Sequence, residues 1–299
     1  MKKIIFISVL LALLLPNTNL GTEASLVTDK HYRVEQKKLE RKEIKQIKDL
    51  FNVHYEFANK HDIESLKLLY ADNYINNDGF NKEVYFKNIK ETWDECQDLT
   101  YKMNIESTNI EGEHASVIVE ETATGTVFDN IDAGPAAGEI HSKSKGIYHL
   151  TKINDKWLIS GETVLFDESS LLYGDARFMN ISLIAPAQVA SDEQYTATVQ
   201  VDTKDKIYMI GSIQHEPVTY PSGKSNAPLR VVPETNILER IIKANNDNLN
   251  EYAVASLAIS KTKNEGLENF RIYMAGLACI MKRVNVIPKN NYIKIEDKK

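Results

Sequence analysis

The sequence predicts an α+β chain: a cone-shaped domain in which helices pack on a curved antiparallel sheet, followed by an all-β sandwich domain. Three observations predict it. Apolar residues recur at steps of three and four up to about residue 96, the period changes to two after Asp98, and beyond residue 177 short alternating segments are separated by polar, Gly- and Pro-containing turns. The chain has 299 residues, 42% hydrophobic and 26% charged, so it has the apolar content for a core and the length for two domains.

At the start, Lys2 and Lys3 precede the apolar run Ile4 to Leu15, then Pro16 and the small-x-small pattern Thr22, Glu23, Ala24. Residues 1–24 therefore read as a cleavable signal peptide, and the protein as periplasmic or secreted. The run is shorter than the roughly 20 apolar residues that span a bilayer, so no membrane span is expected after cleavage. Residues 25–43 form a polar extension.

The elements follow in order. From about Arg33 to Lys60 the pattern is helical, with Ile44, Ile47, Phe51, His54 and Ala58 on one stripe and Leu50 and Phe57 widening it. Asp62 is a good N-cap for a second helix carrying Ile63, Leu66 and Leu69. A third helix spans about Asn81 to Cys96, with Tyr85, Ile89, Trp93 and Cys96 in line. The segments LTYKMNIES and ASVIVEETATGTVF then alternate as strands. Asp129 to Glu139 reads as a long loop, Ile140 to Lys152 as a strand, Asn154 and Asp155 as a turn, and KWLISGETVLF as the last strand. That sets the cone domain at 44–166, a linker at 167–176, a sandwich of immunoglobulin-like type at 177–288 and a charged tail at 289–299. NILERIIK within the sandwich fits a strand or a helix.

The formal net charge is -6, and without the signal's Lys2, Lys3 and Glu23 the remainder is near -7. An acidic chain with no basic stripe is a poor partner for nucleic acid. Cys96 and Cys279 lie far apart and form no disulfide framework; they read as small apolar side chains or as a single bridge. The seven histidines show no metal-ligand spacing, and neither a glycine-rich phosphate loop nor a Gly-x-Ser-x-Gly elbow is present, so no metal and no cofactor is expected.

DIESLKLLYADNY and the closing hairpin GIYHLTKINDKWLISGETV resemble the nuclear transport factor 2 superfamily, particularly its SnoaL-like members, over roughly Ile44 to Phe166. The resemblance implies a cone whose sheet wraps its helices around a deep pocket. Ketosteroid isomerases of this superfamily use an aspartate base, a tyrosine and a protonated aspartic acid. Matched residue by residue, Asp78 stands at the base, His54 at the tyrosine and Tyr148 at the second acid, so the base type is retained and both oxyanion donors differ. Each has a structural alternative: NNDG is turn composition, His54 lies on an apolar stripe, and Tyr148 lies in a strand. Leu50, Phe57, Trp93 and Trp157 are the expected ligand-binding lining.

Three functions fit this reading. The chain binds a small apolar ligand or a protein partner without catalysis; or it is an acid–base lyase or isomerase using His54 and Asp78; or it is a structural part of an envelope assembly. A homodimer through the outer face of the sheet is a further expectation of the resemblance.

Overall fold

The computed structural model describes residues 22–131, 134–203, 207–221, 227–264 and 270–289, with side chains from residue 36 onward. The apolar run of the expected signal peptide and nearly all of the charged tail lie outside them. The chain divides into two compact units, residues 1–46 and 47–299. In the first, the described backbone is helical, the opening part of α1 (Thr22–Asn59), with the side chains of Gln36 to Lys42 exposed. This helix starts at Thr22, earlier than the Arg33 that periodicity predicts.

In the second unit, the rest of α1 buries the predicted stripe Ile47, Phe51, His54 and Ala58. α2 is a single turn, Ile63–Lys67, capped by Asp62, whose side chain accepts from the Ser65 amide. The helix ends at Lys67, before Leu69, which the sequence places on it. The chain extends instead as β1 (Tyr70–Asn76), which pairs in parallel with β5 (Lys156–Gly174): Tyr70 lies opposite Ile159 and Asn76 opposite Glu162. The two strands come so close that a side chain at Gly161 would sit 2.9 Å from the Ile75 carbonyl oxygen, so glycine is required there. α3 (Lys82–Glu95) follows, with Asn81 as its N-cap accepting from the Val84 amide.

The antiparallel strands are β2 (Thr100–Glu111), β3 (His114–Ile131), β4 (Gly134–Ile153) and β5. Two expectations change here. β3 and β4 stay in register from His114 opposite Thr151 to Ile131 opposite Gly134, so the expected loop at 129–139 is the far end of a long hairpin. Its small residues suit close approach: the ring of Tyr173 fills the space a side chain at Gly138 would occupy. Likewise Asp167 to Gly174, expected as a connection between domains, is the second half of β5 and pairs with β13 (Phe270–Ile287) from Glu168 opposite Lys282 to Gly174 opposite Gly276.

As a consequence one sheet runs through both halves of this unit. Its order is β10 (Arg230–Val231), β9 (Tyr208–Pro217), β12 (Glu251–Asn264), β13, β5, β4, β3, β2. A 3-stranded sheet of β11 (Ile237–Lys243), β8 (Gln194–Asp202) and β6 (Asn180–Ile184) faces its C-terminal part. NILERIIK is thus a strand. Two apolar cores lie on the shared sheet. One gathers Ile47, Phe51, Leu66, Phe86, Val117, Leu150 and Ile159 between helices and sheet. The other gathers Leu183, Val199, Met209, Leu257, Ile280 and Val284 between the two sheets.

Candidate functional site

The NNDG turn is built by Asn76. Its side-chain oxygen accepts from the backbone amides of Asp78 at 3.0 Å and Phe80 at 2.8 Å, and Gly79 takes the left-handed conformation at φ 84°. Asp78 has no part in that turn bonding through its side chain and points to the C-terminal strands. Arg283 Nη1 donates to its Oδ2 at 2.9 Å and Nη2 to its Oδ1 at 2.5 Å, while Asn250 Nδ2 donates at 2.8 Å. With side-chain exposures of 4% and 1%, Asp78 and Arg283 form a buried bidentate pair. Asp78 is therefore committed as a counter-ion, neither a free base nor a mere turn residue.

His54 and Tyr148 do meet between helices and sheet, their rings 6.3 Å apart, with the Phe51 ring beside both. His54 is buried, its Nε2 lies 2.8 Å from the Tyr70 hydroxyl, and its Nδ1 has no hydrogen-bond partner. Burial lowers its pKa to about 4, which keeps the imidazole neutral at pH 7. The Tyr148 hydroxyl donates at 2.8 Å to Glu121, which also accepts from Tyr55 and, at 3.5 Å, from Ser144. Burial, opposed by the bonds from Tyr148 and Ser144, pushes the Glu121 carboxyl up to about 7.

Tyr70 leads outward. Its hydroxyl interacts with that of Tyr85 on α3, and Tyr85 in turn with the carboxyl of Glu162 on β5. Tyr74 donates to Glu162 Oε2 at 3.3 Å. Burial first, and then the charge of Glu121, push Glu162 up to about 8, against the tyrosine bonds that pull it down. At pH 7 Glu162 is mostly a neutral acid, able to donate as well as accept.

Glu162 and Tyr85 reach a half-open cavity of about 370 Å³. Its walls come from both halves of the unit: Asn76, Asp78, Phe80, Asn88 and Val164 on one side, and Glu216 to Thr219, Tyr252, Met281 and Arg283 on the other. Tyr252 is held by a 2.6 Å bond to Asp167, and Tyr220, beside the cavity, donates to Glu91 of α3 at 2.8 Å. None of the expected lining residues is among these. Leu50 and Phe57 pack against the cone's core, and Trp157 is buried within it. Trp93, also buried there, stacks on His61 and donates to the Tyr101 hydroxyl at 2.8 Å. In the apolar interior where a ligand was expected, the rings of Phe51, His54, Tyr70, Tyr74, Phe86 and Tyr148 pack against one another.

Sequence reasoning missed Glu121, Glu162, Tyr85 and Arg283. For Glu121 the signal was present: Val117, Val119 and Ala123 are buried on β3, and Glu121 shares their parity. For Glu162 it was not. Leu150 pairs with Ile159 and His149 with Gly161, so Ser160 is an extra residue on β5. That bulge reverses the alternation and turns Glu162 inward opposite Tyr148, where a regular strand would face it outward.

No family model matches this chain, and neither does any curated protein. Among solved structures it is similar to a putative scytalone dehydratase from Novosphingobium aromaticivorans, at 13% identity over 42% of this chain and 84% of that one with a TM-score of 0.35. It is also similar to hexachlorocyclohexane dehydrochlorinase LinA-type3 from Novosphingobium barchaimii, at 12% identity over 42% and 86% with a TM-score of 0.34. A putative dehydratase of the NTF2-like family from Streptomyces avermitilis aligns at 11% identity over 40% and 94% with a TM-score of 0.31. In each case the aligned part is about two fifths of this chain.

Proposed function

We propose that this chain binds a small, largely apolar molecule with one polar group in the cavity between the helix-and-sheet part and the C-terminal strands. The observation that supports it is the cavity of about 370 Å³ with Phe80, Val164, Val218 and Met281 in its wall and the Glu162–Tyr85 pair as convergent polar groups. A ligand-dependent rise in melting temperature tests it. Met281→Trp, which fills the cavity from β13, abolishes that rise while the protein still unfolds cooperatively; an undiminished rise in this variant sinks the reading.

A second reading, acid–base chemistry on the bound molecule, is favoured by the near-neutral titration of Glu162 at the cavity wall. In it Glu162, rather than His54 or Asp78, holds the transferable proton. Turnover lost in Glu162→Gln and kept in His54→Leu supports it, and the opposite pattern removes it. We further propose export: Lys2, Lys3 and the run Ile4 to Leu15 act as a signal peptide. Ser25 as the first residue of the exported protein is the expected finding, and an intact Met1 in exported material refutes cleavage.

A further inference from the structure

We propose that the cavity selects an organic cation: a molecule with a protonated amine on a small apolar or aromatic body. The inference rests on the ligand-binding reading above and adds the charge of the ligand. It follows from the charges around the cavity. Four of the lining residues are charged types: Asp78, Glu162, Glu216 and Arg283. Asp78 and Arg283 cancel in their bidentate pair. Arg283 spends three of its five N–H donors in this way, since Nη1 and Nη2 serve Asp78 and Nε donates to Asn285 at 2.8 Å, and Tyr252 is a further side-chain partner. An anionic ligand would have to share the guanidinium with Asp78, whose carboxylate already neutralises its charge.

What remains on the walls is acidic. Glu216 accepts from the neutral Gln214 side chain at 2.8 Å, and among the described residues the side-chain partners of Glu162 are the Tyr74 and Tyr85 hydroxyls. Asp167 lies behind Tyr252 and adds to the field. The remaining lining suits the body of such a ligand. Phe80, Tyr85 and Tyr252 offer aromatic faces for a cation, and Val164, Val218 and Met281 offer apolar and thioether surface.

Binding is then linked to a proton. The groups facing Glu162 are Tyr74 of β1, Tyr85 of α3, Glu121 of β3, Tyr148 of β4 and Asp78 with its partner Arg283 of β13. Asp78 and Arg283 offset each other, and the rest supply no positive charge. An ammonium placed beside Glu162 provides one, so the carboxylic acid ionises, the ammonium pairs with the carboxylate, and one proton leaves to the buffer.

The experiment is calorimetry on the full chain with phenethylamine, 2-phenylethanol and 3-phenylpropionate, in two buffers of different ionisation enthalpy at pH 7. The expected result is amine binding at least tenfold tighter than the alcohol, no binding of the carboxylate, and net proton release with the amine. In Glu216→Gln the ratio of amine to alcohol affinity falls about tenfold, and in Glu162→Gln the proton release disappears. Alcohol or carboxylate binding as tight as the amine, or a ratio unmoved in Glu216→Gln, overturns the cation inference and leaves the ligand-binding reading standing. If none of the three binds the parent chain at millimolar concentration, or if all that bind do so equally well in Met281→Trp, both readings fall together.

Discussion

Replacing Asp78 by Asn keeps the shape of the side chain and removes its charge, so it isolates the role of the Asp78–Arg283 pair. In the parent protein two guanidinium bonds of 2.9 and 2.5 Å and a third from Asn250 at 2.8 Å meet one carboxylate whose side chain is 4% exposed. The substitution leaves the Arg283 charge buried without a counter-ion, for which the loss is about 3–5 kcal/mol. At about 1.4 kcal/mol per tenfold, that is a hundredfold or greater fall in the folding equilibrium. Urea unfolding followed by tryptophan fluorescence reads it, and with a slope of about 3 kcal/mol/M the midpoint falls by about 1 M or more. The double variant Asp78→Leu, Arg283→Met removes both charges and recovers to within about 1–2 kcal/mol of the parent, because a hydrophobic pair of similar volume avoids the desolvation of both ions. A loss below about 1 kcal/mol in Asp78→Asn, or a double variant that loses the sum of two single losses, refutes the assignment of Asp78 as the counter-ion of Arg283.

Other predictions follow from the same interior. Glu162, raised from 4.5 to about 8, is protonated in the folded state where the unfolded chain would be ionised, so its contribution is intact below pH 4.5 and is lost as pH rises toward 8. Glu162→Gln flattens that decline in a melting-temperature profile and stabilises the protein at pH 8 relative to the parent; an unchanged slope between pH 5 and 8 would show that Glu162 is not held neutral. His54 has the opposite sign of dependence: lowered from 6.5 to about 4, it favours the folded state above pH 6.5 and costs stability as pH falls toward 4. His54→Leu removes that acid sensitivity, which the same profile measured down to pH 4 detects. Gly161→Ala drives a methyl group against the Ile75 carbonyl and loses about 1–3 kcal/mol by equilibrium unfolding, with faster hydrogen exchange along β1; a neutral result would mean that β1 does not pack this closely on β5.

How far the site was legible varies residue by residue. His54 was readable as an interior residue because it falls on the helical stripe with Ile47 and Phe51, and burial on such a stripe needs no partner to be inferred. Glu121 was equally readable, as a carboxylate on the buried face of a strand. Asp78 stood out in the sequence through its match to the isomerase base, with NNDG as the competing turn reading, yet the bonds that define its role come from Asn250 and from Arg283, 205 residues away. No local pattern carries a contact of that separation.

From the sequence alone came the helices-then-strands order, the stripe of α1, the cap of α2 at Asp62 and the tight Asn154–Asp155 turn, each set by interactions within a few residues. The tertiary structure decided the rest. β1 is a strand because β5 offers it a parallel edge, and residues 167–174 are a strand because β13 pairs with them. Glu162 faces inward because a one-residue bulge flips parity, and the Asp78–Arg283 pair joins the two walls of the cavity. These outcomes depend on which distant segment supplies the hydrogen bonds and the counter-charge, and periodicity along one segment holds no information about its partner.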